Sequence, residues 1–303
     1  MAIDFAEIKA KLCSVVAIPV TPFVTSGDLD RQAYTANIRR LVAAGLTVIT
    51  PNGNTGEFYS LSPIEQEAAA ELASEGAEGR ALIVAGAGYD VSSVVKVGRW
   101  AQKHGAAVMV HQPVHPYLSP EGWVRYHEQI AEQLLDVAIV LYVRSQTVTG
   151  EHLAKLANSC PNVVAVKYAV PDPLRFAAVM GVVTPGRLAW LCGLAEMWTP
   201  FFWMAGARGF TSGLANFRPD LSLKLLHCLE AEDYGAAYQV AALVRPFEAM
   251  RARDNGALNV SVVKEAMAQL GLSSRDVRPP IVELDMDQRN EVAALIRALD
   301  STK

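Results

Sequence analysis

Eight short apolar runs recur at intervals across the first 212 residues of the chain, and their number constrains the fold more than any other feature. They are Val15–Val20, Thr47–Pro51, Ala81–Ala85, Ala107–His111, Val137–Tyr142, Val163–Lys167, Leu188–Leu191 and Gly209–Ser212. Near-continuous apolar runs of this length read as strands buried on both faces. A helix-like segment follows each run except where a loop intervenes. Strands alternating with helices imply βαβ units and a parallel sheet. Eight units in about 210 residues match the arithmetic of an α/β (β/α)8 TIM barrel. The competing arrangement is an open doubly wound sheet, which would usually carry a Gly-rich phosphate loop after the first strand. Here Ile18-Pro19-Val20-Thr21-Pro22-Phe23 occupies that place.

Beyond Pro219 only helical periodicity remains, at about Asp220–Ala231, Tyr234–Ala252, Ser261–Leu270 and Asp287–Leu299. That is more helix than an eighth barrel unit needs. The expected division is a barrel domain over residues 1–222 and a three-helix C-terminal extension over 223–303. Several helix starts are legible. Ser62-Pro63-Ile64-Glu65 is a capping box with proline at the first helical position. Ser92 is expected to cap Ser93–His104, and Pro120-Glu121 to open Gly122–Leu135.

A formal net charge of -4, with no basic stripe, argues against a nucleic-acid partner. Leu188–Ala207 is apolar enough to test for a membrane span. Gly193, Glu196, Thr199 and Pro200 interrupt it, so a strand, a turn and a buried helix are expected instead. The first seven residues carry acids and no basic segment, unlike a signal peptide. Cys13, Cys160, Cys192 and Cys228 are too widely spaced to suggest a zinc site or a disulfide framework. A cytoplasmic location is the expectation.

In such a barrel the active site lies at the C-terminal ends of the strands. The sixth run, Asn162-Val163-Val164-Ala165-Val166-Lys167, leads straight into a lysine. Burial disfavours its charged form, and the neutral amine is a nucleophile for carbonyl carbon. The bland alternative is a lysine snorkelling into water. The fifth run ends in Tyr142, a candidate proton relay. The second run leads into Gly53-Asn54-Thr55-Gly56-Glu57, whose backbone amides could hold a carboxylate oxygen. His111, His115 and Tyr117 follow the fourth run, without the carboxylates a metal site needs. Together, loop, tyrosine and lysine have one economical explanation: a Schiff-base site for a 2-oxo acid, needing neither metal nor diffusible cofactor.

The chain resembles the dihydrodipicolinate synthase and N-acetylneuraminate lyase family of lysine-dependent class I aldolases. The matching pieces are Ile18-Pro19-Val20-Thr21-Pro22-Phe23, Gly53-Asn54-Thr55-Gly56-Glu57, Leu141-Tyr142, Val166-Lys167 and Gly209-Phe210-Thr211-Ser212-Gly213-Leu214-Ala215-Asn216. The resemblance implies a barrel with a C-terminal helical extension, assembled as a homo-oligomer, dimer or tetramer. It implies Lys167 as Schiff-base former, Tyr142 as proton relay, and Asn54-Thr55 as the carboxylate pair. Thr55 is also a candidate in catalysis, and Gly53, His115, Thr211 and Ser212 join the substrate-binding candidates. Departures speak against a strict dihydrodipicolinate synthase. Asn54 replaces a threonine, and His115 stands where a second relay tyrosine crosses a dimer interface. No Asn-x-Pro follows Tyr142, Arg144 is displaced from the usual carboxylate-binding arginine, and Tyr168 replaces an acid. The loop Gly56-Glu57-Phe58-Tyr59-Ser60-Leu61 is closer to the sugar-acid dehydratase branch, such as 5-dehydro-4-deoxyglucarate dehydratase. The alternative is a non-catalytic barrel that binds a ligand or regulates a partner. It would gain if Tyr168 or Trp198 plugged the pocket.

Overall fold

A computed structural model describes residues 4–300, and the eight apolar runs close into one parallel barrel in sequential order. Its strands are β1 (Val15–Ala17), β2 (Val48–Ile49), β3 (Leu82–Ala87), β4 (Ala107–Val110), β5 (Ile139–Val143), β6 (Val163–Tyr168), β7 (Ala189–Cys192) and β8 (Gly209–Ser212). β1 pairs with β8 to close the ring. Every strand residue is buried, as two covered faces require.

A short helix, α1 (Phe5–Leu12), precedes the barrel, with Asp4 accepting from the amides of Ala6 and Glu7. Its Ile8 and Leu12 join the inner layer of Val16, Val48, Met109 and Val164, so that end of the barrel is stoppered. The barrel helices are α2 (Arg31–Ala43), α3 (Pro63–Ala77), α4 (Val91–His104), α5 (Pro120–Gln133), α6 (Gly150–Ser159), α7 (Pro173–Val182), α8 (Thr199–Met204) and α9 (Pro219–Glu230). The Ser62–Glu65 capping box is present at α3. At α4 the cap is Asp90, whose carboxylate accepts from the Ser93 amide at 3.0 Å, and not the expected Ser92. Two acceptors compete there, and the more strongly accepting carboxylate takes the N-terminal position. α5 begins at Pro120 after a Ser119 cap, two residues before the expected start.

The extension contains α10 (Tyr234–Arg251), a single turn α11 (Arg253–Gly256), α12 (Asn259–Gln269) and α13 (Met286–Asp300). The expected division at residue 222 falls inside α9, the last barrel helix. A third apolar layer joins Val20, Leu214 and Phe217 of the barrel to Val244, Phe247 and Val263 of the extension. The Phe217 and Phe247 rings lie 4.9 Å apart, a pairing that adds about 0.5–1.5 kcal/mol beyond area burial. The stretch 188–207 is β7, a turn and α8, and no described helix is long and apolar enough to cross a membrane.

Candidate active site

Lys167 and Tyr142 are register partners at the ends of β6 and β5. Alternation turns both inwards: Ala165 and Val140, two residues earlier, belong to the inner layer, while Val166 and Tyr168 pack outwards. The Lys167 Nζ lies 4.1 Å from the centre of the Tyr142 ring. Each residue is 4% exposed, so neither is a surface group. A Cβ at Gly193 would approach Lys167 Cγ to 3.0 Å and Ala169 Cβ to 2.8 Å, so this glycine leaves room for the lysine stem.

Burial pushes the Lys167 amine down to about 7, and the positive charge of Arg144 pushes the same way, with Cys192 opposing. None of the groups that shift it is a carboxylate. A large share of the amine is therefore uncharged near neutral pH. Burial pushes the Tyr142 phenol up to about 12, so it keeps its proton.

β2 gives way to a 3-10 turn, Asn54–Gly56. The first amides of such a turn have no acceptor within it. The Asn54 Nδ2 donates to Tyr142 Oη at 3.2 Å, while Asn54 Oδ1 is buried without a partner. His111 backs the loop. Its Nε2 lies 2.8 Å from the Asn52 carbonyl, so that nitrogen carries the proton, and its ring stacks on Phe58 at 4.0 Å. Burial pushes its pKa down to about 3, which keeps the ring neutral.

Lys167, Tyr142, Asn54, Thr55 and Thr211 share one open cavity of 570 Å³. Trp198 lines it without filling it, and Tyr168 lies outside, 5.4 Å from the Phe176 ring. Three expected site residues do not line this cavity. Gly53 packs beneath the loop, where a Cβ would come within 2.4 Å of Ile18 Cγ2. Ser212 is fully buried; its hydroxyl donates to Glu196 Oε1 at 2.5 Å and accepts from the Ala215 amide at 2.9 Å. With those bonds made it is a structural group, not an exposed binding one. His115 sits on an exposed loop beside Tyr117, outside the cavity.

Other residues line the cavity beyond the expected set. Tyr59 and Arg144 form one side, and Glu248, Arg251 and Asn259 of the extension form the far wall. Arg144 was legible by alternation, two residues beyond the inward-facing Tyr142. Among the described residues no group of three or more His, Cys, Asp or Glu could hold a metal ion.

A sequence model of the dihydrodipicolinate synthetase family matches residues 11–299. A protein of Methylobacterium radiotolerans named as a probable 5-dehydro-4-deoxyglucarate dehydratase is 32% identical over 288 residues, covering 93% of each chain. The crystal structure of dihydrodipicolinate synthase from Bacillus clausii is 38% identical, with a TM-score of 0.92 over 97% of this chain and 99% of that one. The corresponding enzyme of Oceanobacillus iheyensis is also 38% identical, with a TM-score of 0.93 over 98% and 100%. Identity alone does not choose between the two activities these relatives carry.

Proposed function

The chain belongs to the dihydrodipicolinate synthetase family, and from that premise we propose that it is a lysine-dependent lyase that dehydrates a deoxy sugar acid carrying a 2-oxo group. The observation that carries the proposal is a buried amine with no carboxylate beside it, next to a protonated phenol, in a cavity of 570 Å³. That volume falls within the range of about 300–1,000 Å³ that holds ligands well beyond three carbons.

In this reading the neutral Lys167 adds to the C2 ketone, and loss of water gives an imine. The amides of Asn54 and Thr55 and the Thr55 hydroxyl hold the C1 carboxylate, with Thr211 lining the same cavity. Fixing the carboxylate aligns the ketone and makes the attack effectively unimolecular. Tyr142 gives its proton to the departing carbinolamine hydroxyl; its phenolate then takes the C3 proton, whose electron pair flows into the protonated imine to give an enamine. Its collapse expels the C4 hydroxyl, which departs as water with a proton from Tyr142. The unpartnered Asn54 Oδ1 is an acceptor for a substrate hydroxyl, and Arg144 is a cation for a second carboxylate. Aldol cleavage would use the same enamine, so the outcome is decided by what lies at C4.

The test is borohydride reduction in the presence of pyruvate, followed by peptide mapping. One three-carbon adduct on Lys167 is expected; labelling elsewhere, or none with any 2-oxo acid, overturns the mechanism. Turnover of 5-dehydro-4-deoxyglucarate should exceed consumption of pyruvate with any aldehyde. The reverse ranking would make the chain a synthase.

A cytoplasmic homo-oligomer, dimer or tetramer, accompanies this reading. Val114 and Tyr117, 77% and 87% exposed beside His115, are apolar surface that a second copy could cover. Light scattering should return a mass above that of one chain.

A further inference from the structure

The barrel holds the loop that faces Lys167 through side-chain bonds: Thr21 Oγ1 donates to the Gly56 carbonyl at 2.7 Å, Asn54 Nδ2 to Tyr142 Oη at 3.2 Å, and Gln66 Nε2 to the Phe58 carbonyl at 3.1 Å. β2 is two residues long, and Thr55 lies six residues beyond its last residue, Ile49. No ladder bonds reach it there. Its charged anchors come from the C-terminal extension. Glu57, two residues after Thr55, is 2% exposed and makes an ion pair with Lys264 of α12, which is 0% exposed. Lys264 Nζ also donates to the Asp276 carbonyl at 2.6 Å and stands 4.1 Å from the centre of the Phe23 ring. The second Glu57 oxygen accepts from the Arg278 amide at 3.0 Å. The Arg278 guanidinium then donates to the Ser60 carbonyl at 3.2 Å and to Glu65 Oε2 at 2.9 Å. The loop is thus held in the middle and at its far end by residues more than 200 positions away in the chain. Glu57 itself has a left-handed backbone, φ +61°, a conformation that persists only where the surroundings over-determine it.

We propose that Lys264 and Glu57 are positioning residues, which fix Asn54 and Thr55 at the distance from Lys167 that a substrate carboxylate requires. The inference rests on the reading of that loop as the carboxylate site. A buried ion pair is a weak source of stability, since packed apolar residues of similar volume often serve as well. What the pair supplies here is geometry. It joins a loop with no strand of its own to a helix that is packed on the barrel through Val262 and Val263.

The discriminating measurement compares two ketones. Pyruvate needs both Lys167 and the loop; acetone, lacking a carboxylate, needs only the amine. In the double variant Glu57→Gln/Lys264→Met, borohydride trapping at Lys167 with pyruvate should slow by about ten- to a hundredfold, the cost of an ångström of misplacement, while trapping with acetone stays nearly unchanged. Wild-type protein labelled by pyruvate on Lys167 is the control. If wild type is not labelled, the carboxylate-site reading falls and this inference with it. If wild type is labelled and the variant loses both ketones equally, or neither, only the positioning role is overturned. Should the double variant fail to fold by circular dichroism, the single variant Glu57→Gln, which leaves Lys264 its bond to the Asp276 carbonyl, is read in the same way.

Discussion

Among the described residues two lysines are buried, and each stands 4.1 Å from the centre of an aromatic ring: Lys167 by Tyr142, and Lys264 by Phe23. Burial pushes the amine of both away from its charged form. They differ in what opposes that push. Glu57 faces Lys264 and pulls back towards the cation, and the Asp276 carbonyl accepts a hydrogen bond from it. No acid is among the groups that shift Lys167, which sits on an open cavity with the positive charge of Arg144 pushing it further from the cation. Burial alone therefore does not make an amine reactive. A missing counter-charge does, together with access for an electrophile.

Exchanging the two lysines for methionine should separate these roles. Lys167→Met should lower turnover by at least about a thousandfold, as removal of a group that acts as a unit does, while urea unfolding shows no loss of stability. A folded variant with residual turnover near wild type would transfer the chemistry to another nucleophile. Lys264→Met leaves Glu57 charged and unpaired in the interior. It should cost about 3–5 kcal/mol in the same urea titration, most of it restored when Glu57→Gln is added. If the single and double variants are equally unstable, the ion pair is not the source of the loss.

The smallest effect is also the one that reads the comparison most directly. The pyruvate-trapping rate should rise about tenfold per pH unit below pH 7 and level off above it, following the neutral Lys167 amine. A rate still climbing at pH 9 would mean that the amine is not depressed. The stability consequence has a definite sign. Lys167 titrates near 7 in the folded chain, against about 10.4 for an unfolded lysine, so between these values the unfolded chain binds the extra proton. Stability then rises with pH across that window, and Lys167→Met should stabilise the fold most below pH 7.

The barrel was legible because strands covered on both faces must be apolar throughout, and their number leaves one closed arrangement. Strand ends were less so. Val15–Val20 is one apolar run, but the strand stops at Ala17, because Val20 is buried by the extension and not by the ladder. That Lys167 and Tyr142 stand side by side at the mouth of the barrel could be read from residue type at strand ends. Thr211 and Ser212 show the limit of that reasoning. They are consecutive at the end of β8, alternation allows only one to face the cavity, and it is Thr211. The far wall of Glu248, Arg251 and Asn259 had no local signal, since the place of the extension is set by packing between residues distant in the chain.

The register match of Tyr142 with Lys167 bears on how such a protein can change. Their spacing is dictated by hydrogen bonds between neighbouring backbones, which insertions in the surrounding loops do not disturb. In the proposed reading recognition falls to Tyr59, Arg144 and the extension, and these can change while the spacing of lysine and tyrosine stays still. A lineage built this way can acquire new foodstuffs without reinventing its chemistry.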